Sequence, residues 1–340
     1  RRNTTILWQY NGREAKCNYN CPYCYYVGLH SATDRFTGYI EQWHDRFLES
    51  FGKQHIVFYL AYGEPTIGKH FPGILDMIGQ EPNWELRITS NVSLPFDNVV
   101  KSRAAREGRV NINASFHPCK TTRVTFLQKV TYLRDNGIEP SIVYVAYPSY
   151  LSHFVDDVLF FRQSGFVVHV RRFQGLFNGK IYPWAYTDKE RRIIASFSDD
   201  GMIKYLLNQQ IARNCLTYSG LHFFVIDNAG NVGYDANAFQ PYTKLRTLFG
   251  NIHTGNFRPM LLPTEYLGSC EGSVDGVANL VTSNYKELEF NNVLSFSKQG
   301  GVYKDEDGHV IYGNEFKDFK DSKIRAEYNF PPMTFQDYFA

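Results

Sequence analysis

From residue 4 to about residue 173, short runs rich in β-branched and aromatic residues alternate with helix-like stretches. That rhythm predicts βα units around a parallel sheet. Six runs read as strands: TTILWQY (4–10), HIVFYLAY (55–62), WELRITS (84–90), RVNINASF (109–116), PSIVYVAY (140–147) and FVVHVRR (166–172). Helices are expected near 38–51, 70–80, 95–106, 122–136 and 152–164, with Asn136-Gly137 and Ser164-Gly165 as C-terminal stops. Six units predict an α/β fold, a partial (β/α)6 TIM-type barrel whose post-strand loops share one face and build the site.

After residue 175 the rhythm stops. TDKERRIIASF has an N-cap-like start and predicts a helix, and 202–213 predicts another. LHFFVIDNAGNVGYD then predicts a β-hairpin turning at DNAGN, and the tail from about 296 is polar and turn-rich. The expected organisation is a barrel domain over 1–175 and a bridge with a C-terminal α+β extension over 176–340, packed on the barrel.

Composition narrows the function. The chain of 340 residues is 43 % hydrophobic and 21 % charged, ordinary for a globular protein, but 24 Tyr and 27 Phe make it unusually aromatic, as a core or a ligand cavity would need. A formal charge of +2 without basic blocks excludes the footprint of phosphate-backbone binding, so nucleic acid is not expected as a partner. Apolar runs such as IVFYLAY at 56–62 fall far short of the ~20 residues that span a bilayer, so no membrane partner and a cytoplasmic location are expected. Six cysteines are too few for a disulfide scaffold, and three of them crowd into CNYNCPYC at 17–24, which favours a metal over bridges.

Thiolates are soft ligands suited to zinc or to iron–sulfur clusters. A closed zinc site would need a fourth ligand such as His30 beside Cys17, Cys21 and Cys24, and the spacing lacks the paired knuckles of common zinc modules. A four-iron cluster held by three cysteines keeps one iron open, as catalytic metals do. Here the chain resembles the radical S-adenosylmethionine (radical SAM) enzymes, whose cluster loop is C-x3-C-x2-C with an aromatic residue, here Tyr23, before the third cysteine. YLAYGEP at 59–65 is similar to the family's G-G-E-P segment, with Tyr62 in place of the first glycine, and TSN closes the third predicted strand.

The resemblance covers roughly residues 4–175. It implies one 4Fe-4S cluster on Cys17, Cys21 and Cys24, and S-adenosyl-L-methionine (SAM) held by Tyr23, Gly63, Glu64, Pro65, Ser90, Asn91, Ser115, His117, Arg171 and Gln174. Glu64 would accept a hydrogen bond from the SAM amino group. It further implies reductive cleavage of SAM to a 5′-deoxyadenosyl radical that abstracts hydrogen from the substrate, and an electron-donor protein such as flavodoxin or ferredoxin. CLTYSG (215–220), the hairpin, FGNIHTG (249–255) and Cys270 resemble a SPASM or twitch extension, but Asp235 stands near where a cysteine would close the hairpin. Unless Asp235 or a histidine such as His222 or His253 joins Cys215 and Cys270 as a ligand, the extension reads as degenerate, which favours redox-neutral chemistry such as epimerisation, elimination or decarboxylation on a small polar or sugar-like substrate. Cys119, just past the fourth strand, is then a candidate hydrogen donor to a substrate radical, with simple packing as its alternative role. Peptide modification and a zinc-stabilised binding module are the alternatives.

Overall fold

The alternation of buried with half-buried or exposed residues along Trp84–Ser90, Val110–Phe116, Ser141–Ala146 and Val168–Arg172 sets up a sheet with two different faces. A computed structural model describes residues 4–11, 17–24, 36–61, 63–173, 175–182, 185–197, 210–213, 216–217, 220–233, 248–259, 264–265 and 289–292. In chain order the first elements are β1 (Thr4–Gln9), α1 (Ile40–Phe51), β2 (Ile56–Leu60), α2 (Phe71–Gln80), β3 (Trp84–Ser90), α3 (Asp97–Val100), α4 (Arg103–Arg106), β4 (Val110–Phe116), α5 (Arg123–Asp135), β5 (Ser141–Ala146), α6 (Leu151–Gln163) and β6 (Val168–Arg172). Then follow β7 (Gly175–Phe177), β8 (Lys180–Tyr182), α7 (Asp188–Ser196), β9 (Gln210–Arg213), β10 (Leu216–Thr217), β11 (Phe223–Asp227), β12 (Asn231–Gly233), β13 (Leu248–Asn251), β14 (Thr264–Glu265) and β15 (Glu289–Asn292).

The main sheet has the order β13-β12-β11-β1-β2-β3-β4-β5-β6, and it is parallel from β11 through β6. It is thus an α/β fold with a large, mostly parallel sheet. One face is aromatic and packs on helices. Trp8 of β1 packs tilted on Trp43 and edge-on to Phe47 of α1, Phe58 of β2 meets Phe47, and Phe116 of β4 meets Phe126 of α5 and Phe161 of α6. The other face is polar towards the β4–β5 side. Ser141 of β5 donates there to Asn113 of β4 at 2.8 Å, and between β2 and β3 the Tyr59 and Thr89 hydroxyls pair at 2.9 Å.

Three elements differ from expectation. The helix expected over 95–106 is broken at Ser102, whose hydroxyl donates to Val99 O and accepts from Ala105 N, ending α3 and capping α4 with one side chain. Within the helix expected over 202–213, residues 210–213 are extended and pair with β15, while 202–209 lie outside the described residues. Asn178 and Gly179, both with positive φ, turn a β7–β8 hairpin in the bridge where no strands were expected, a two-residue Asn-Gly turn.

The sheet also runs past residue 175, because β11 adds parallel to β1 with Thr5 opposite Phe223 and Gln9 opposite Asp227. Both strands are then interior, which explains why β11 is buried along its whole length. The segment Gly250-Asn251-Ile252 clamps the β11–β12 turn. Asn251 Nδ2 donates to Ala229 O and Asn231 Oδ1, Ile252 N donates to Gly230 O, and the Ile252 side chain enters the core. Gly250 has φ +111°, and a Cβ there would stand 2.4 Å from Asn256 O, an immovable backbone atom. Gly250→Ala is therefore expected to destabilise the chain by more than about 1 kcal/mol, read as a lower denaturant midpoint at unchanged slope.

Candidate active site

Loops after β1, β2, β3, β4 and β5 converge at one edge of the sheet, and the cysteine loop is where they meet. Cys21 is buried, Cys17 and Cys24 are half-buried, and the Cys24 N–H closes the turn onto Cys21 O at 3.2 Å. Tyr19 N and Asn91 Nδ2 both point at Cys17 Sγ from 3.4 Å. Burial raises the Cys17 thiol pKa, so the free thiol is protonated unless a cation takes its place.

After β2 the chain turns through Gly63, at φ +63°, into a one-turn 3-10 helix Pro65–Ile67 with Pro at its start. This places the Glu64 carboxylate inside the protein with no exposure. Burial raises its pKa, and four donors oppose that: Thr66 Oγ1 at 2.6 Å, Asn91 N at 2.7 Å, Ser90 Oγ at 2.8 Å and Thr66 N at 3.3 Å. Tyr10 OH donates to Pro65 O, tying the end of β1 to the same turn. Glu64 therefore brackets the β2 turn to the end of β3. Val92, next to Asn91, is buried and has φ +52°, a left-handed conformation that a β-branched residue rarely adopts.

The Tyr23 hydroxyl and His117 Nδ1 lie 3.0 Å apart, and the two rings stack. Burial pushes the His117 pKa down to about 4, so the imidazole is neutral near pH 7. Tyr147 and Tyr150, from the end of β5, cover the other side of Tyr23. Cys119 Sγ lies 3.8 Å from the Tyr23 hydroxyl and shares a hydrogen bond with Cys21, which pulls the Cys119 thiol down to about 6 and pushes Cys21 up. Cys119 also lines a cleft of about 590 Å³ with Tyr150, Lys120, Arg123, His153 and Asp156.

The structure thus gathers Cys17, Cys21, Cys24, Tyr23, Gly63, Glu64, Pro65, Ser90, Asn91, His117 and Cys119 at one mouth. Ser115 and Arg171 are half-buried on β4 and β6, alternating with residues that face the helices, and so sit on the polar face. Gln174, His30, Asp235, Cys215 and Cys270 lie outside the described residues. Reading the sequence missed Asn18, Thr66 and Tyr147. Thr66 had a signal, since a Thr two residues after Glu64 is placed to bond its carboxylate, whereas Asn18 and Tyr147 had none.

Among the described residues no three His, Cys, Asp or Glu side chains close around a single metal ion. The chemistry of the donor set fits an iron–sulfur cluster: three thiols lie in one short loop, and N–H groups aim at the Cys17 sulfur as they do at cluster thiolates.

No family model matches the chain, and no curated protein matches it. Solved structures do share its fold. Native anSMEcpe with bound AdoMet aligns with TM-score 0.54 at 17 % identity, over 73 % of this chain and 78 % of that one. The same protein with AdoMet and the Cp18Cys peptide gives 0.51 at 16 % identity, over 74 % and 78 %. Streptococcus suis SuiB bound to S-adenosylmethionine gives 0.52 at 14 % identity, over 74 % and 64 %. The fold is that of the radical SAM enzymes.

Proposed function

We propose that the chain is a radical SAM enzyme that uses SAM and one 4Fe-4S cluster to abstract hydrogen from a small polar substrate. One observation carries this reading: the CNYNCPYC loop is knitted to the GEP turn and to the Ser90-Asn91 loop through Glu64 and Asn91. Cys17, Cys21 and Cys24 would hold the cluster, which would supply one electron to the sulfonium of SAM. The other residues position and protect. Glu64 fixes the end of β3 against the β2 turn, and neutral His117 holds the Tyr23 hydroxyl beside the cysteines without bringing in a charge. Tyr23, Tyr147 and Tyr150 keep water from that side of the loop.

The polar face carries Thr89, Asn113, Ser115 and Ser141, hydroxyl and amide groups suited to a polyhydroxylated substrate such as a sugar derivative. Only Cys215 and Cys270 remain for a second cluster, fewer than four ligands, which supports a redox-neutral outcome. A peptide substrate is the second reading, supported by the fold shared with anSMEcpe solved with a bound peptide. Flavodoxin or ferredoxin is the proposed electron donor.

Cys119 borders both the cysteine loop and the cleft; with Cys21 bound to the cluster as a thiolate, the hydrogen bond between the two sulfurs would need Cys119 as its S–H donor, and this protonated Cys119 is the proposed source of the hydrogen atom returned to a substrate radical. The thiyl so formed would take one electron and one proton from the donor system. Cys119→Ala is expected to form 5′-deoxyadenosine while losing the hydrogenated product by at least about tenfold, measured by chromatography of single-turnover mixtures. Normal product from this variant removes the role.

Anaerobic loading with iron and sulfide, reduction and addition of SAM test the whole reading. Brown protein and 5′-deoxyadenosine are expected. Colourless, zinc-loaded protein without cleavage of SAM overturns it.

A further inference from the structure

We infer that Asn91 is a positioning residue for the cysteine loop, holding Cys17 and setting how easily a cluster bound there is reduced, and that it is not a donor to SAM. The inference rests on the proposed cluster. A side-chain amide has two N–H donors and one acceptor oxygen. Here Nδ2 donates to Asn18 Oδ1 at 2.9 Å and points at Cys17 Sγ from 3.4 Å, and Oδ1 accepts from Ser93 N at 2.9 Å. Both donors are spent on the cysteine loop, which leaves no N–H for a carboxylate or a ribose.

The surroundings make this arrangement rigid. Asn91 is 5 % exposed, and its own N–H is held by Glu64 Oε2. Asn18 completes the clasp by donating Nδ2 to Ser93 Oγ at 2.7 Å, so the two loops are tied in both directions. Val92 holds the bend at φ +52°, with its N–H on Ser90 Oγ at 3.0 Å. Backbone strain of this sort persists only where neighbouring bonds over-determine it. Lys129 donates to Ser93 O from α5 and anchors the far side of the loop.

Hydrogen bonds to thiolate ligands withdraw charge from the sulfur and favour the reduced, more negative cluster. Groups that hold a ligand from behind also govern metal retention, with losses of about 10–100-fold when they are removed. Asn91→Ser shortens the side chain and removes the N–H at Cys17. Asn91→Asp keeps the shape and the Ser93 bond but sets a carboxylate against the sulfur and Asn18. Asn18→Ala leaves Asn91 in place and cuts only the clasp.

The test is a potentiometric titration followed by electron paramagnetic resonance on reconstituted wild-type, N91S, N91D and N18A proteins, with iron content and SAM affinity measured on the same samples. Wild type is expected to hold about four irons per chain. N91S is expected to be reduced at a more negative potential, with SAM affinity changed by less than about twofold, since the amide is not a SAM contact. N91D is expected to shift further or to lose iron, and N18A to shift in the same direction by less. A wild-type potential in both N91S and N91D overturns the inference while leaving the proposed function intact. Weakened SAM binding at an unmoved potential also overturns it, by making Asn91 a SAM contact. Wild-type protein that holds no iron overturns both.

Discussion

Replacing Cys21 by Ala is expected to strip the chain of its iron and to lower 5′-deoxyadenosine formation by more than about a hundredfold, since even residues behind a metal ligand cost 10–100-fold when removed. The same result is expected for Cys17 and Cys24, because three thiols cannot lose one and still anchor a cube by three corners. Cys119→Ala is the essential comparison. Its thiol bonds Cys21, so it is the described side chain best placed to act as a fourth ligand in a closed site. Retention of iron in Cys119→Ala and its loss in Cys21→Ala, read by iron and sulfide analysis, assigns three ligands. Equal loss in both assigns four and closes the corner that SAM requires.

The second large effect falls on Glu64. Glu64→Ala leaves the Asn91 N–H, the Ser90 and Thr66 hydroxyls and the Thr66 N–H without their acceptor inside the protein. Each buried donor left unsatisfied costs about 1–3 kcal/mol, and the two hydroxyls can rotate to recover part of that, so a loss of roughly 3–5 kcal/mol is expected for the iron-free chain. Glu64→Gln keeps the volume and one good acceptor but turns an NH2 group towards donors, so an intermediate loss is expected. Denaturant unfolding of the iron-free proteins measures both. A midpoint for Glu64→Ala within error of wild type would mean that the carboxylate is not the bracket between β2 and β3.

Local signals made much of this legible. The strands β1 to β6 stood out because each pairs with the next through a helical crossover, so pattern and topology agree. The cysteine loop stood out because its chemistry lies within eight residues. What stayed hidden was non-local. Nothing in LHFFVIDNAGNVGYD says that its first strand pairs in parallel with residues 5–9, more than two hundred positions earlier. Residues 210–213 form a strand only because β15 lies beside them. Glu64 was legible as a site residue, but its complete burial depends on Ser90 and Asn91 arriving from another strand. The approach of Cys119 to Cys21 depends likewise on the turn after β4 and has no trace in the spacing of the cysteines.

The most direct measurement is electron paramagnetic resonance of the reduced, cluster-loaded protein with and without SAM. An iron corner left open by Cys17, Cys21 and Cys24 predicts that SAM binds there and changes the spectrum of the reduced cluster, and that Cys119→Ala responds in the same way. A spectrum that SAM leaves unmoved would contradict the account.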